Sequence, residues 1–142
     1  GPGEAVITVD TPWGRIGLTI CYDLRFPDLY RALSNAGCTV LLVPAAFTVP
    51  TGNAHWHVLL RARAIEASAF VIAPAQVGLH DDGRSTYGHS LVVDPWGDVL
   101  LDMADQNGIA CTDIDFALLE DVRARIPSLR HRRPLPEVKI LS

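Results

Sequence analysis

Cysteine and histidine are the residues of this chain best suited to nucleophilic or ligating chemistry, and there are three of the first and five of the second in 142 residues. Cys21 is the most informative. It follows an apolar run, Ile16-Gly17-Leu18-Thr19-Ile20, and precedes a helix expected to begin near Pro27. A strand-to-helix turn presents a side chain at the C-terminal edge of a sheet, where α/β proteins place their ligands. A helix N-terminus favours an anion such as a thiolate, and backbone N–H groups after such a turn are free to meet a developing oxyanion. The chemistry suggested is acyl transfer through a thioester. On these grounds alone, a buried structural cysteine is the commoner outcome. Cys38 and Cys111 lie in apolar stretches and are expected to be inert.

The histidines say less. His55 and His57 are two residues apart at the start of an expected helix, a spacing that does not put them on one face and is not the i, i+4 of a helical metal pair. Tyr87 and His89 read as packing or hydrogen-bonding residues of a core strand. Asp23 and Arg25 could tune the cysteine, although an ion pair bracing the turn is the commoner use. Glu66 is an attractive buried partner for Arg25, because an unpaired buried charge is costly, and it also falls at i, i+3 from Arg63, a spacing that suggests a structural ion pair. Ala45, Ala46 and Phe47 follow a buried strand, as pocket walls do.

The elements that must position these groups alternate in type. Residues 6–9 and 16–21 read as strands about the Pro–Gly turn 10–14. Pro27 suits the first position of a helix, Leu29, Leu33 and Ala36 form its stripe, and Gly37 stops it. The run 39–43, ended by Pro44, reads as a strand buried on both faces. A helix is expected over 55–68, with Asn53 as its cap and Trp56, Leu59, Leu60, Ala64 and Ala67 on one face. A strand follows at 70–73, a glycine-punctuated loop at 78–88, and a hairpin of 90–93 with 99–101 about Asp94-Pro95-Trp96-Gly97-Asp98. A last strand is expected at 109–114, and a short helix at 116–125 with Leu118, Leu119 and Val122 inward. Such alternation implies an α/β layered fold. One domain over residues 1–126 and an extended Pro-rich tail over 127–142 are the expected organisation.

Composition limits the function classes. Hydrophobic residues make up 49% of the chain and charged ones 20%, and the net charge is −4. This is globular composition without the basic footprint of a nucleic-acid binder. The one basic cluster, Arg130-His131-Arg132-Arg133, lies in the tail and reads as a solvated or subunit-contacting segment. An odd cysteine count without CxxC spacing argues against a disulfide framework or zinc ribbon and fits a reducing compartment. No run approaches a membrane span and no signal peptide is visible, so a cytoplasmic location without membrane association is expected. Gly1-Pro2-Gly3 reads equally as a native turn or a cleavage scar.

The string from Gly17 to Tyr30, Gly-Leu-Thr-Ile-Cys-Tyr-Asp-Leu-Arg-Phe-Pro-Asp-Leu-Tyr, resembles the nucleophile segment of the nitrilase superfamily of carbon–nitrogen hydrolases. The resemblance continues through Pro44-Ala45-Ala46-Phe47-Thr48, Thr51-Gly52-Asn53-Ala54-His55-Trp56 and Leu60-Arg61-Ala62-Arg63-Ala64-Ile65-Glu66. It resumes at Arg84-Ser85-Thr86-Tyr87-Gly88-His89-Ser90 and Val93-Asp94-Pro95-Trp96-Gly97, and ends at His131-Arg132-Arg133-Pro134. The Nit-type amidases are the branch it most resembles.

The resemblance implies the C-terminal half of a four-layer αββα sandwich and hydrolysis of a small, ω-amide-like substrate. Cys21 would be the nucleophile. Tyr22, Ala45, Ala46, Phe47 and Thr48 would line the substrate site, and no metal or organic cofactor would take part. In the family a glutamate base and an oxyanion-binding lysine precede the cysteine in sequence. The single lysine here, Lys139, lies in the tail and matches neither. The expected partners are therefore a first half carrying those two groups, or a further copy of this chain in a homo-oligomer. Many Nit-type relatives have a glutamate where His57 stands, which puts the polarity of the pocket in question. Two other readings remain open: a non-catalytic assembly or regulatory module of the same fold, and a redox-sensing thiol protein, the latter with no obvious resolving cysteine.

Overall fold

The computed structural model describes residues 3–140. Gly1 and Pro2, and with them most of the expected opening turn or scar, fall outside the described residues. Six strands form one mixed sheet in the order β1-β2-β3-β4-β7-β8. These are β1 (Ile7–Thr11), β2 (Gly14–Leu18), β3 (Cys38–Leu42), β4 (Phe70–Ala73), β7 (Leu91–Val93) and β8 (Val99–Asp102). The central pairs β2–β3 and β3–β4 are parallel, and the outer pairs are antiparallel.

Parallel neighbours need crossovers, and helices provide them. Helix α1 (Pro27–Asn35) links β2 to β3. A longer helical stretch links β3 to β4. It comprises one turn, α2 (Val49–Thr51), a π-type turn over Gly52–Trp56, and α3 (His57–Ala67). The helix therefore begins before the expected cap at Asn53, because the wide π turn absorbs Gly52 and Asn53 into it. Gly52 is dictated by packing: a Cβ there would collide with the Tyr87 ring.

The period-2 alternation of β3 and β4 divides their side chains between two apolar clusters. Leu41, Val43, Val71 and Ala73 pack with Tyr30 and Leu33 of α1, Leu60 and Ala64 of α3, and Trp56. Val40 and Phe70 pack on the other face with Leu119 of α4 (Phe116–Arg125), flanked by Leu42 and Ile72. The expectation of a strand buried on both faces is met. Trp56 is fully buried, and removing so large a core side chain typically costs about 3–5 kcal/mol. Towards the sheet edge Ile7, Val9 and Leu18 are exposed, so the apolar surface of β1 and β2 is uncovered.

Several sequence expectations need correction. Residues 109–114 form no strand: Ile109 is almost fully exposed and has no sheet neighbour, so its apolar character is not used for pairing. The polar stretch expected as a loop contains a hairpin, β5 (Val77–Leu79) with β6 (Ser85–Tyr87), closed by a turn in which Gly83 adopts positive φ. In α4, Leu119 and Val122 are buried while Leu118 is only half-buried. The tail is not wholly extended, since α5 (Ser128–His131) adds one turn. Cys111 is exposed rather than lodged in apolar surroundings.

Candidate active site

Strand β2 ends at Leu18, three residues before the expected limit, and Cys21 begins a 3-10 turn over Cys21–Arg25. Thr19 fixes the exit from the strand. Its N–H and hydroxyl both donate to Leu42 O, at 3.0 and 2.8 Å, and its hydroxyl also lies 2.9 Å from the Tyr30 hydroxyl. Ile20 and Asp23 then cap the turn reciprocally: Asp23 N–H donates to Ile20 O and Ile20 N–H donates to Asp23 Oδ2, each at 2.9 Å. The bracing role expected of Asp23 is thus a backbone cap, not an ion pair with Arg25.

Cys21 itself has φ 45°, in the left-handed region. That costs an ordinary residue about 1–2 kcal/mol, and such strained strand-to-helix turns are how several hydrolases lift a nucleophile out of the sheet. The Cys21 N–H donates to Pro44 O at 2.9 Å, which ties the turn to the loop after β3. The next donor, Tyr22 N–H, has no acceptor among the described residues.

Arg63 braces the turn from α3. Its Nε and Nη2 donate to Leu24 O at 3.1 and 2.8 Å, and its Nη1 donates to Glu66 at 2.9 Å. Glu66 is therefore the partner of Arg63, three residues away on the same helix, and not of Arg25. Arg25 instead lies over the rings of Tyr22 and Phe47, with Nη1 3.2 Å from His55 Nδ1. The Arg63 guanidinium also sits 5.3 Å from the centre of the Tyr30 ring. Burial is the main reason the Tyr30 hydroxyl is pushed up to about 12; the Thr19 hydrogen bond and Arg63 act in the opposite sense.

Cys21 opens onto a cavity of about 630 Å³, formed with Ile20, Pro44, Ala45, Ala46, Pro74, Ala75, Gln76, Ser90, Asn107 and Gly108. Backbone bonds hold its floor. Ala45 N–H donates to Pro74 O and Gln76 N–H to Ala45 O, each at 2.9 Å, so the loops after β3 and β4 run side by side. Ser90 Oγ accepts from Ala75 N–H at 2.9 Å.

Of the residues expected at the site, the cavity brings together Cys21, Ala45 and Ala46. Phe47 turns into the core against Trp56, with ring centres 4.9 Å apart. Thr48 precedes α2 and bonds Thr51. The Tyr22 side chain is 66% exposed and packs edge-on against Phe26. Sequence reasoning did not find Gln76, Ser90, Asn107 or Gly108. The Pro after β4, matching the Pro after β3, was the available signal for Gln76. Nothing in the exposed stretch around Asn107 marked it.

The lining offers a thiol, two amides and a hydroxyl, but no carboxylate, imidazole or amine. A larger cleft, about 750 Å³ between α1, α3, α4 and the tail, contains no cysteine. Cys38 is buried, which pushes its thiol up and makes it a poor nucleophile. Among the described residues, no helix is long and apolar enough to cross a membrane.

The sequence model of the family described as carbon-nitrogen hydrolase matches residues 1–124. A deaminated glutathione amidase of Synechocystis is 54% identical over 120 residues, which is 84% of this chain and 44% of that protein. The human protein of the same name is 51% identical over 134 residues, covering 94% of this chain and 41% of its own length. The crystal structure of the Caenorhabditis elegans NitFhit protein superposes with a TM-score of 0.89 at 46% identity, over 94% of this chain and 32% of that one. The chain thus spans less than half the length of these relatives. A family match over nearly the whole chain, together with a cysteine raised at the sheet edge, gives one conclusion: this chain belongs to the carbon–nitrogen hydrolase family of the nitrilase superfamily.

Proposed function

We propose that the protein is an amidase that hydrolyses a small ω-amide through a thioester on Cys21. The observation that carries this reading is the left-handed Cys21 at the mouth of the cavity, followed by an N–H without an acceptor. The thiolate adds to the amide carbonyl, and in this proposal the Tyr22 N–H donates to the resulting oxyanion. The C–N bond then breaks, the departing nitrogen takes a proton, and ammonia leaves. Water attacks the thioester, releasing the carboxylate and restoring the thiol. The name shared by the curated relatives makes deaminated glutathione the first substrate to try; there the amine that leaves is the cysteinylglycine dipeptide, which is then followed in place of ammonia.

The proton transfers need a base, and the lining residues supply none. In the proposal a first half, carrying the family's glutamate and lysine, completes both the site and the four-layer sandwich. Its sheet would cover the exposed Ile7, Val9 and Leu18 side. The alternative is an assembly or regulatory module of the same fold in which Cys21 is idle.

Trapping the intermediate tests the proposal. The completed protein is mixed with the amide, quenched in acid and mapped by peptide mass. An acyl group on the Cys21 peptide, which decays as ammonia appears, is the expected result. Ammonia release without that adduct, or with the acyl group on another residue, overturns the mechanism; neither ammonia nor adduct favours the module.

A further inference from the structure

His57, His89 and Asp102 come from three separate parts of the chain. His57 is the first residue of α3, His89 lies between β6 and β7, and Asp102 is the last residue of β8. Their ligand-capable atoms all lie within 4.8 Å of one another. His57 Nε2 is 3.0 Å from Asp102 Oδ2, and His89 Nδ1 is 2.9 and 3.1 Å from the two Asp102 oxygens. The mechanism uses none of the three. The i, i+2 pair His55 and His57 is no metal pair, but the fold gives His57 two other neighbours.

We propose that His57 Nε2, His89 Nδ1 and Asp102 Oδ2 form a binding site for a zinc-class divalent cation. Neighbouring ligands of a tetrahedral zinc ion stand roughly 3.3 Å apart, given bonds of about 2.0–2.1 Å. The two His–Asp spacings need only a small outward shift to reach this, and the His57 and His89 nitrogens lie within 4.8 Å of each other. Two imidazoles and a carboxylate suit zinc and its neighbours better than calcium or magnesium, which prefer oxygen throughout. All three side chains are partly exposed, which leaves a fourth position open to water.

The surroundings already hold the ligands for this task. Asp102 Oδ1 accepts the Ala104 N–H at 2.8 Å, which leaves Oδ2 for an ion. The Tyr87 hydroxyl lies 3.5 Å from His57 Nδ1. When Nε2 binds a metal the ring proton moves to Nδ1, and Tyr87 is the acceptor that fixes this tautomer. Tyr87 also stacks on His89, with ring centres 4.2 Å apart. Among the described residues His89 and Ala104 are two of four non-glycine residues with positive φ, and the His89 N–H donates to Ala104 O at 2.6 Å. The local backbone is held in a costly form that aims these side chains at each other. A bound ion would clip α3, the 88–90 segment and β8 together, one residue from Ser90 in the cavity wall.

Zinc uptake by the purified protein tests the site, with Cys21 and Cys111 changed to Ser so that accessible thiols do not compete. Equilibrium dialysis with metal analysis is expected to find one zinc per chain. His57→Gln and Asp102→Asn should each weaken binding by about a hundredfold or more, and Tyr87→Phe by about tenfold. No uptake at micromolar zinc, or uptake indifferent to His57→Gln and Asp102→Asn, overturns the proposal. If those variants fail to fold, X-ray absorption of the zinc-loaded parent decides. Two imidazoles with oxygen are expected, and a shell with one imidazole or none overturns the site.

Discussion

Cys21 and Pro44 are joined through their backbones, the Cys21 N–H donating to Pro44 O at 2.9 Å, and this bond locks the Cys21 turn to the loop that walls the cavity. The turn is held while Cys21 stays at φ 45°. Strain at a reactive residue should appear as stability recovered when that residue becomes glycine.

Cys21→Gly is therefore expected to be more stable than Cys21→Ala by about 1 kcal/mol, since alanine keeps the penalty of the left-handed region and glycine does not. Urea unfolding of the two variants checks this. Equal midpoints, or a more stable alanine variant, would show that the turn is unstrained.

Thiol labelling should divide the three cysteines by position. Cys38 is buried and should remain unmodified in the folded protein. Cys21 and the exposed Cys111 should both react, with Cys21 ahead because it stands beside the free Tyr22 N–H. Peptide mapping after brief alkylation near neutral pH reads the order; a slower Cys21 than Cys111 would count against its activation.

Arg63 should matter more than its distance in sequence from Cys21 suggests. It gives two hydrogen bonds to Leu24 O inside the turn that begins at Cys21. Arg63→Ala should destabilise the protein by about 1.5–3 kcal/mol, the range for hydrogen bonds to charged groups. Arg63→Lys, which loses the fork, should recover only part of this. Unfolding midpoints for both test the point, and a neutral Arg63→Ala would remove the brace from the account.

Tyr30 sets an alkaline limit. Burial leaves its hydroxyl at about 12 in the folded protein, against about 10 when unfolded. A raised value means the folded state keeps the proton longer. The contribution is full below about pH 10 and is lost as pH rises towards 12. Unfolding midpoints should fall across that window in the parent and fall less in Tyr30→Phe; identical slopes would assign the loss elsewhere.

Much of this was legible in the chain and some was not, for identifiable reasons. The buried strands β3 and β4 were readable because their apolar runs end in proline, and the family was readable from the motif around Cys21. The strand expected at 109–114 was not formed, because hydropathy alone does not provide a neighbouring strand with free edges. The hairpin β5–β6 was hidden by its glycines and charges, since pairing there depends on the turn rather than on burial. The Arg63–Glu66 pair was readable from its i, i+3 spacing, whereas the partner offered for Arg25 was wrong because proximity across 41 positions is set by the crossing of α3 over the turn. His57, His89 and Asp102 are likewise brought together by topology, and no spacing rule anticipates that.

Ammonia release tests the central claim most directly. It would be measured with a short ω-amide for the 142-residue chain alone, for the chain supplied with a first half carrying the family's glutamate and lysine, and for that completed protein with Cys21→Ala. General acid–base catalysis is worth about 10²–10⁴-fold and an oxyanion donor about 10²–10³-fold. The account therefore predicts negligible release from the chain alone, turnover from the completed protein, and its loss in Cys21→Ala. Turnover that persists in the completed Cys21→Ala protein would contradict the account.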